Sequence, residues 1–568
     1  MTDGVRTKVA LACLFVLALL VRAVYLFESS SNPTFFAPVV DSETYDRLAS
    51  AFAAGQELTD EFFWQPPFYP LFLGVVYRLT GSSIVWAKVL QALIGTATCW
   101  LTFQLGRIVF DRRAGVLAAL FVALYGPLIF FDAELLATSW AAFWTVALIL
   151  LFVWARRSDR LPPFFVLGAA GALSVLTRPT FLPFFVASAV WLAATLCRER
   201  MAGRGAVAAR LSLVVVGFLA VSAPAAHWSH AISGRWSILP ASSGINLFIG
   251  NNPDAARTIS IRPGWEWEEL TRRPERFGVL RKQETGRFFR GQVLEFARDH
   301  PLDFLGGLAR KTGHFLSSRE LPRNVDVYVF RDWSVVLRTL VWKVGGFGFP
   351  FGLLLPLAGM GLVLGHRKLP PPIPIFLLLY PASIILVFVS ARYRTPVVPL
   401  LSVLAAGGLL DLGRRIREKE WARLALAAGA AATLVVLATL PGPFPQERAN
   451  YRAEVHYSVG TRAMNAGDLE SAVEHLGRAV EIQPLHSDAR NHLGIAYSKL
   501  GRLSLATECF GQAVRDAPRF VTTRVNYARL LAAQGRFEEA TRQLRIGLEQ
   551  QPDNAELQYR LGEVLGRK

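Results

Sequence analysis

Four carboxylates and three arginines stand where short polar turns interrupt long apolar runs. Asp41 and Glu43 lie in Pro38-Val-Val-Asp41-Ser-Glu43-Thr-Tyr45-Asp46-Arg-Leu48-Ala49, just after the first run. Asp132 and Glu134 fill the turn of Phe-Phe-Asp132-Ala-Glu134-Leu-Leu, Arg178 precedes Pro179, and Arg392-Tyr393-Arg394-Thr-Pro396 opens another run. A carboxylate can take the proton of an attacking hydroxyl. The guanidinium fork can hold a phosphate through paired charge-assisted hydrogen bonds. Each residue also has a plainer use. Asp41 falls at or just before the N-cap of an amphipathic helix that starts near Ser42, and Asp is a preferred cap. Asp132 and Glu134 suit helix capping equally well, and lone arginines at span ends commonly snorkel to headgroups. Two arginines flanking Tyr393, on the face that holds the carboxylates, favour anion binding.

The elements that position these residues are membrane helices. Of 568 residues 52% are hydrophobic and 18% charged, too apolar a balance for a soluble chain of this length. The net charge of +18 does not point to nucleic acid, because many arginines fall in short clusters between apolar runs. These are Arg112-Arg113, Arg156-Arg157, Arg198 to Arg210, His366-Arg367-Lys368 and Arg414 to Lys419, the pattern of basic loops on the cytoplasmic side. About eleven spans follow, at 9–27, 84–108, 114–131, 135–155, 161–177, 179–197, 207–228, 345–365, 372–390, 396–412 and 422–440. The apolar segment 67–80 is short of the roughly 20 residues a span needs. Taking it as a surface or re-entrant helix keeps every short basic cluster inside. Residues 28–83, the turns at 132–134, 178 and 392–394, and the long segment 229–335 then share the outer face. The basic start and the apolar run Val9–Phe27 read as a retained first helix rather than a removed signal. Four scattered cysteines offer neither a disulfide framework nor zinc spacing.

After residue 451 hydrophobicity falls and a 34-residue period appears in Gly467, Gly501 and Gly535, in Ala472, Ala506 and Ala540, and in Pro484, Pro518 and Pro552. This is the tetratricopeptide pattern. It predicts an α-solenoid of repeats at 453–486, 487–520 and 521–554, a cap helix at 555–568, and a linker at 442–452 joining it to a membrane domain of residues 1–441. Such arrays bind proteins or peptides, or serve only as scaffolds.

Asp41-Ser-Glu43, Pro66-Pro67-Phe68-Tyr69-Pro70, Asp132-Ala-Glu134 and Arg392-Tyr393-Arg394-x-Pro396 together resemble the GT-C membrane glycosyltransferases. The branch they are most similar to is that of the protein O-mannosyltransferases (glycosyltransferase family 39) and aminoarabinose transferases. Ser243-Gly-Ile-Asn246-Leu-Phe-Ile-Gly250-Asn251-Asn252-Pro253 also resembles an outer-loop element of the bacterial members. Read from residues alone, it is a turn cluster after a short strand-like run. The resemblance implies an all-α polytopic bundle that moves a sugar from a polyprenyl phosphate to a hydroxyl of a protein, lipid or glycan. Asp41 would be the base, with Glu43, Asp132 and Glu134 supporting it. Arg392 and Arg394, then Arg178 and Tyr393, would hold the donor phosphate, and Gln65, Tyr69, Asn246 and Asn251 would line the substrate. Aminoarabinose transferases carry Lys before the Pro-Pro pair where this chain has Gln65, so a lysine contact to phosphate does not carry over. No cofactor is implied, and a divalent metal is left open.

Two other classes compete. A lipid or solute transporter would place ionisable residues at mid-bilayer, whereas Arg22 and Lys88 read as lying toward span ends. An inert anchor displaying the repeats would leave the carboxylate and arginine turns without a use. The charge pattern predicts a multi-pass cell-membrane protein with the N-terminus cytoplasmic and the repeats outside, and the resemblance to bacterial members implies a bacterial inner membrane. A reporter enzyme active only outside the cytoplasm, fused after Lys568, should therefore be active; a signal from a cytoplasm-only reporter would overturn this topology.

Overall fold

A computed structural model describes residues 3–199, 203–365, 367 and 369–567. Arg200 of the third basic cluster, His366 and Lys368 of the fourth, and Lys568 of the cap helix lie outside the described residues. The chain divides into two compact units. The first comprises residues 1–32, 41–260 and 274–447, and the second residues 33–40, 261–273 and 448–568.

Among the described residues, seven helices of the first unit are long and apolar enough to cross a membrane, from Val9–Ser29 to Trp421–Thr439. The expected span 114–131 is instead a pair, Arg112–Ala123 and Gly126–Asp132, bent by 60°. Pro127 sits at the start of the second helix, where its missing N–H cannot continue the first. Counting the pair as one span gives eight. The expected spans 161–177, 345–365 and 372–390 appear as the shorter apolar helices Pro162–Thr177, Phe351–Gly365 and Pro372–Val387, so length and composition alone do not yield eleven. The start of 345–365 is a hairpin, with Trp342 opposite Phe349 and Gly345 at φ 57° in the turn. The segment 67–80 is the helix Phe68–Thr80, closed by Gly81 at φ 70°. Its 13 residues span about 20 Å at 1.5 Å per residue.

One local expectation is corrected. The run after Ser242 is not strand-like but the helix Ser243–Ile249. Asn251 and Asn252 donate to the carbonyls of Leu247 and Phe248 at 2.8 and 2.7 Å, closing the helix from its end. Gly244 lies so close to Gly286 that a Cβ there would come 2.2 Å from its carbonyl oxygen. The β-branched and aromatic look of the run is overridden by this packing.

Helix pairs in the first unit meet through glycine, as apolar solvent requires when packing rather than water exclusion holds helices together. A Cβ on Gly168 would fall 2.0 Å from the Val214 oxygen, and one on Gly217 2.2 Å from the Phe165 oxygen. Gly361 and Gly408 join Phe351–Gly365 to Val398–Arg417 in the same way.

The second unit is the repeat array, seven helices from Tyr451–Ala466 to Ala555–Arg567. Ala472, Ala506 and Ala540 are fully buried. Gly467, Gly501 and Gly535 turn the chain at φ 85°, 74° and 76°, values that disfavour other residues. The unit also takes in residues 33–40 and 261–273 from earlier in the chain.

Gly361→Ala places a methyl group 1.9 Å from the Leu404 carbonyl oxygen, with backbone on both sides. Overpacking of this kind costs about 1–3 kcal/mol. The midpoint of thermal unfolding in detergent should fall by several degrees, and an unchanged midpoint would mean that the two helices can part without cost.

Candidate active site

The helix Asp41–Ala53 begins at Asp41, one residue earlier than the pattern predicts. Val40 before it has φ 56°, an outlying conformation for a β-branched residue and one that needs surrounding structure to hold it. Tyr45, Leu48 and Ala49 are buried. Gly74 of Phe68–Thr80 admits the Phe52 ring to where its own Cβ would be, at 2.6 Å. Tyr77 donates to Asp46 at 2.6 Å, and the Tyr45 and Tyr69 rings meet edge-on at 5.0 Å. Asp41 is thus carried on a helix pinned along its length.

Opposite it stands the turn Ala391–Arg394. Arg392 Nη1 pairs with Asp41 Oδ2 at 2.5 Å, and its Nη2 donates to the Tyr393 hydroxyl at 3.0 Å. Its buried Nε has no hydrogen-bond partner. Arg178 donates to the Arg392 carbonyl at 2.8 Å and to Thr138 Oγ1 at 2.9 Å. Both guanidinium groups lie near the Tyr393 ring, 4.8 Å from its centroid for Arg392 and 5.1 Å for Arg178. Asp41, Arg392, Tyr393 and Arg178 all act electrostatically on the Tyr45 hydroxyl, which burial raises above its ordinary range. Three of the predicted cationic and phenolic residues therefore converge on Asp41, and Tyr45 joins them although its spacing marked it only as a helix-face residue.

Arg394 is not brought to this cluster. It pairs with Glu320 at 2.9 Å, donates to the carbonyls of Ser317 and Arg319, and lies 3.8 Å over the Phe351 ring. Glu320 also accepts from the Tyr125 hydroxyl at 3.2 Å. The carboxylates of the second turn are likewise drawn inward. Asp132 pairs at 2.8 Å with Arg22, both 2% exposed or less. Gly95 makes room for them, since its Cβ would lie 2.0 Å from Asp132 Oδ2. Arg22 is thus an interior partner rather than a span-end residue, a fate its place in an apolar run could have signalled. Glu134 is half-buried and feels the charge of the buried Lys88. Gln91, absent from the sequence reading, donates to the carbonyls of Asp132 and Glu134 and accepts from the Tyr69 hydroxyl, linking that turn to the helix Phe68–Thr80.

Glu43 is exposed and Gln65 half-buried. Asn246 donates to Ser242 Oγ at 3.4 Å. Asn251 bridges the Leu386 carbonyl and Lys311 Nζ, each at 2.8 Å. Burial pushes the Lys311 ammonium down to about 8, and it rests on the Gly250 carbonyl as well. No group of three or more His, Cys, Asp or Glu among the described residues is placed to hold a metal ion.

An apolar groove of about 650 Å³ runs between Ile84–Val109, Thr138–Arg157 and Pro162–Thr177. Trp144 and Leu173 line one part of it. The Trp144 indole donates to Thr177 Oγ1 at 3.1 Å, and Thr177 directly precedes Arg178. The lining runs from there to Gln104, Arg107 and Trp154.

Residues 64–228 match the family of dolichyl-phosphate-mannose-protein mannosyltransferases, and residues 459–519 and 521–564 match tetratricopeptide repeats. Residues 64–228 are thus similar to a glycosyltransferase family domain, and a tetratricopeptide array follows them. The family match includes Asp132, Glu134 and Arg178 but neither Asp41 nor the Arg392 turn. Among solved structures, the apo oligosaccharyltransferase of Archaeoglobus fulgidus is 18% identical at a TM-score of 0.39, covering 76% of this chain and 56% of that one. This chain therefore spans little more than half of the archaeal protein's length. ArnT from Cupriavidus metallidurans, solved with undecaprenyl phosphate, is 18% identical at a TM-score of 0.41, covering 92% and 80%. At these TM-scores the likeness carries no functional argument. An uncharacterized protein of Methanocaldococcus jannaschii is 39% identical over 59 residues, which are 10% of this chain and 69% of that protein.

The Arg394–Glu320 pair is buried on both sides, and removing one partner strands the other charge at a cost of about 3–5 kcal/mol. Arg394→Ala should accordingly lower the thermal midpoint by far more than Arg392→Ala, whose partner Asp41 is partly exposed. Equal losses in the two variants would show that Arg394 does not anchor the turn.

Proposed function

We propose that the membrane domain transfers a sugar from a polyprenyl-phosphate donor to an acceptor hydroxyl at the extracytoplasmic face, with inversion and with Asp41 as base. The observation that carries this reading is the Asp41–Arg392–Arg178 cluster. The groove suits an isoprenoid chain, and the guanidinium groups suit the phosphate at its end. The phosphate competes with Asp41 for Arg392, and the Nε without a partner adds a donor to the fork. Donor binding then frees the carboxylate at the place where a base is needed.

The acceptor oxygen attacks the anomeric carbon from the face opposite the phosphate. Asp41 takes the hydroxyl proton, the new carbon–oxygen bond forms, and the bond to the phosphate oxygen breaks with its electron pair. Polyprenyl phosphate leaves with the added negative charge, which Arg392 and Arg178 stabilise as it develops. Tyr393 holds the two guanidinium groups in place. Gln65 and Tyr69, at the start of the short helix, border the sugar together with Glu43 and Glu134. Arg394, Asp132 and Asn251 act through the groups they hold, and Asn246 belongs to the outer-loop helix that Asn251 closes. A protein acceptor is favoured by the family match of residues 64–228. The outer placement of the array is supported by its sharing one unit with residues 261–273 of the long segment, which puts both on one side of the membrane.

Asp41→Asn keeps size and capping ability, since Asn caps as well as Asp. Given a polyprenyl-phosphate sugar and a hydroxyl acceptor, this variant should bind donor normally while turnover drops by about 10²–10⁴. Arg392→Ala should instead weaken donor binding, and Arg392→Lys should not fully restore it. Near-normal turnover in Asp41→Asn would reduce that residue to a helix cap and move the search for the base to Glu43 or Glu134.

A further inference from the structure

The repeat array is not bare. Residues 261–273, from the long segment between two membrane helices, belong to the same compact unit. Their anchors fall on the first helices of two successive repeats and on the residue just before the first helix of the third. The Arg262 guanidinium lies 4.6 Å over the Tyr451 ring and 3.5 Å from Glu454. The Trp265 amide donates to Asp488 Oδ1 at 3.0 Å, and its indole stacks on Phe520 at 5.7 Å and 21°. Glu454 and Asp488 occupy the same repeat position, 34 residues apart, and Phe520 directly precedes the first helix of the third repeat. Four residues of the array, Tyr451, Glu454, Asp488 and Phe520, therefore contact a stretch of four residues. Gly264 between the anchors has φ 140°, and a Cβ there would come 2.7 Å from the Asp488 carboxylate. Only glycine allows the backbone to reach Asp488.

From this juxtaposition we infer that the array is a peptide-recognition surface whose occupant is the chain's own Arg262-Pro-Gly264-Trp265 segment. It reads an arginine, a glycine two residues on and a tryptophan after it, by charge, close backbone approach and stacking respectively. Any outside polypeptide must carry the same pattern and must displace this segment, whose tether gives it an effective concentration in the millimolar range. The array thus clamps the chain's own outer loop before it recruits anything else. This holds whether or not the membrane domain transfers a sugar.

Binding of a fluorescein-labelled peptide of residues 261–273 to the full-length protein in detergent tests the inference. The wild-type protein should bind it weakly. Trp265→Ala and Gly264→Ala, which release the segment by different means, should each bind it at least about ten-fold more tightly, as expected once a tethered competitor is removed. Adding Phe520→Ala to either variant should abolish the gain, with the helical signal of the array unchanged. If neither release variant binds the peptide more tightly than the wild type, or if the gain survives Phe520→Ala, the segment does not occupy the surface and the inference fails.

Discussion

Arg394 is 2% exposed, its guanidinium spent on Glu320 and on backbone carbonyls of residues 315–319. The direction of Arg392 follows from that burial. The two arginines sit two positions apart on one helical turn, and at 3.6 residues per turn such positions point about 200° from each other. Fixing Arg394 inward therefore aims Arg392 away from it, toward Asp41. The Ala391 amide adds a bond to the Leu321 carbonyl at 2.8 Å, so the strand of chain that carries Glu320 holds the turn at both ends. A pair of charges that touches no substrate sets the geometry of those proposed to touch it.

The same logic runs through the rest of the apolar interior. A charge removed from water must be paired and hydrogen-bonded or it unfolds its surroundings. Arg22 and Asp132 pair with each other in a space that exists because residue 95 has no side chain, while Arg22 Nη2 and Asp132 Oδ1 stay without hydrogen-bond partners. Gln91 then uses its amide to bind the backbone of the turn and its carbonyl to receive Tyr69. Tyr69 meets Tyr45, which stands one helical turn from Asp41. The helix of the proposed base and the second acidic turn are thereby joined through hydrogen bonds and one aromatic contact, although the carboxylates of that turn face their own cations.

Much of this architecture was legible in the sequence, and the limits of that reading have physical causes. Hydropathy and the 34-residue period identify a membrane bundle and a repeat array because both depend on composition at fixed spacing. The convergence of Asp41, Arg178, Arg392 and Tyr393 was legible because all four sit at polar breaks assigned to one membrane face. Spacing could not separate Arg392 from Arg394, since both lie in one turn and only the partner Glu320, 74 positions away, distinguishes them. Arg22, Gln91 and Lys311 escaped for the same reason, each acquiring its meaning from a distant carbonyl or carboxylate. The run at 243–249 was misread as strand-like because its helix is fixed by Asn side chains beyond its end and by contact with Gly286.

The Asp41–Arg392 pair links the order of events to the chemistry on the proposed reading. A carboxylate held by a guanidinium is a weak proton acceptor, because its charge is already compensated. A phosphate offers Arg392 more charge and a matching pair of oxygens, so its arrival transfers the guanidinium from Asp41 to the donor. On that reading Asp41 is released from its partner only after the donor it must act beside is in place. An acceptor hydroxyl, or water, that reaches the empty site meets a neutralised carboxylate and no sugar. Val40, held at φ 56° one residue before Asp41, limits how far the carboxylate can retreat when its partner leaves. The freed carboxylate remains at the first residue of its helix, where the helix dipole favours negative charge.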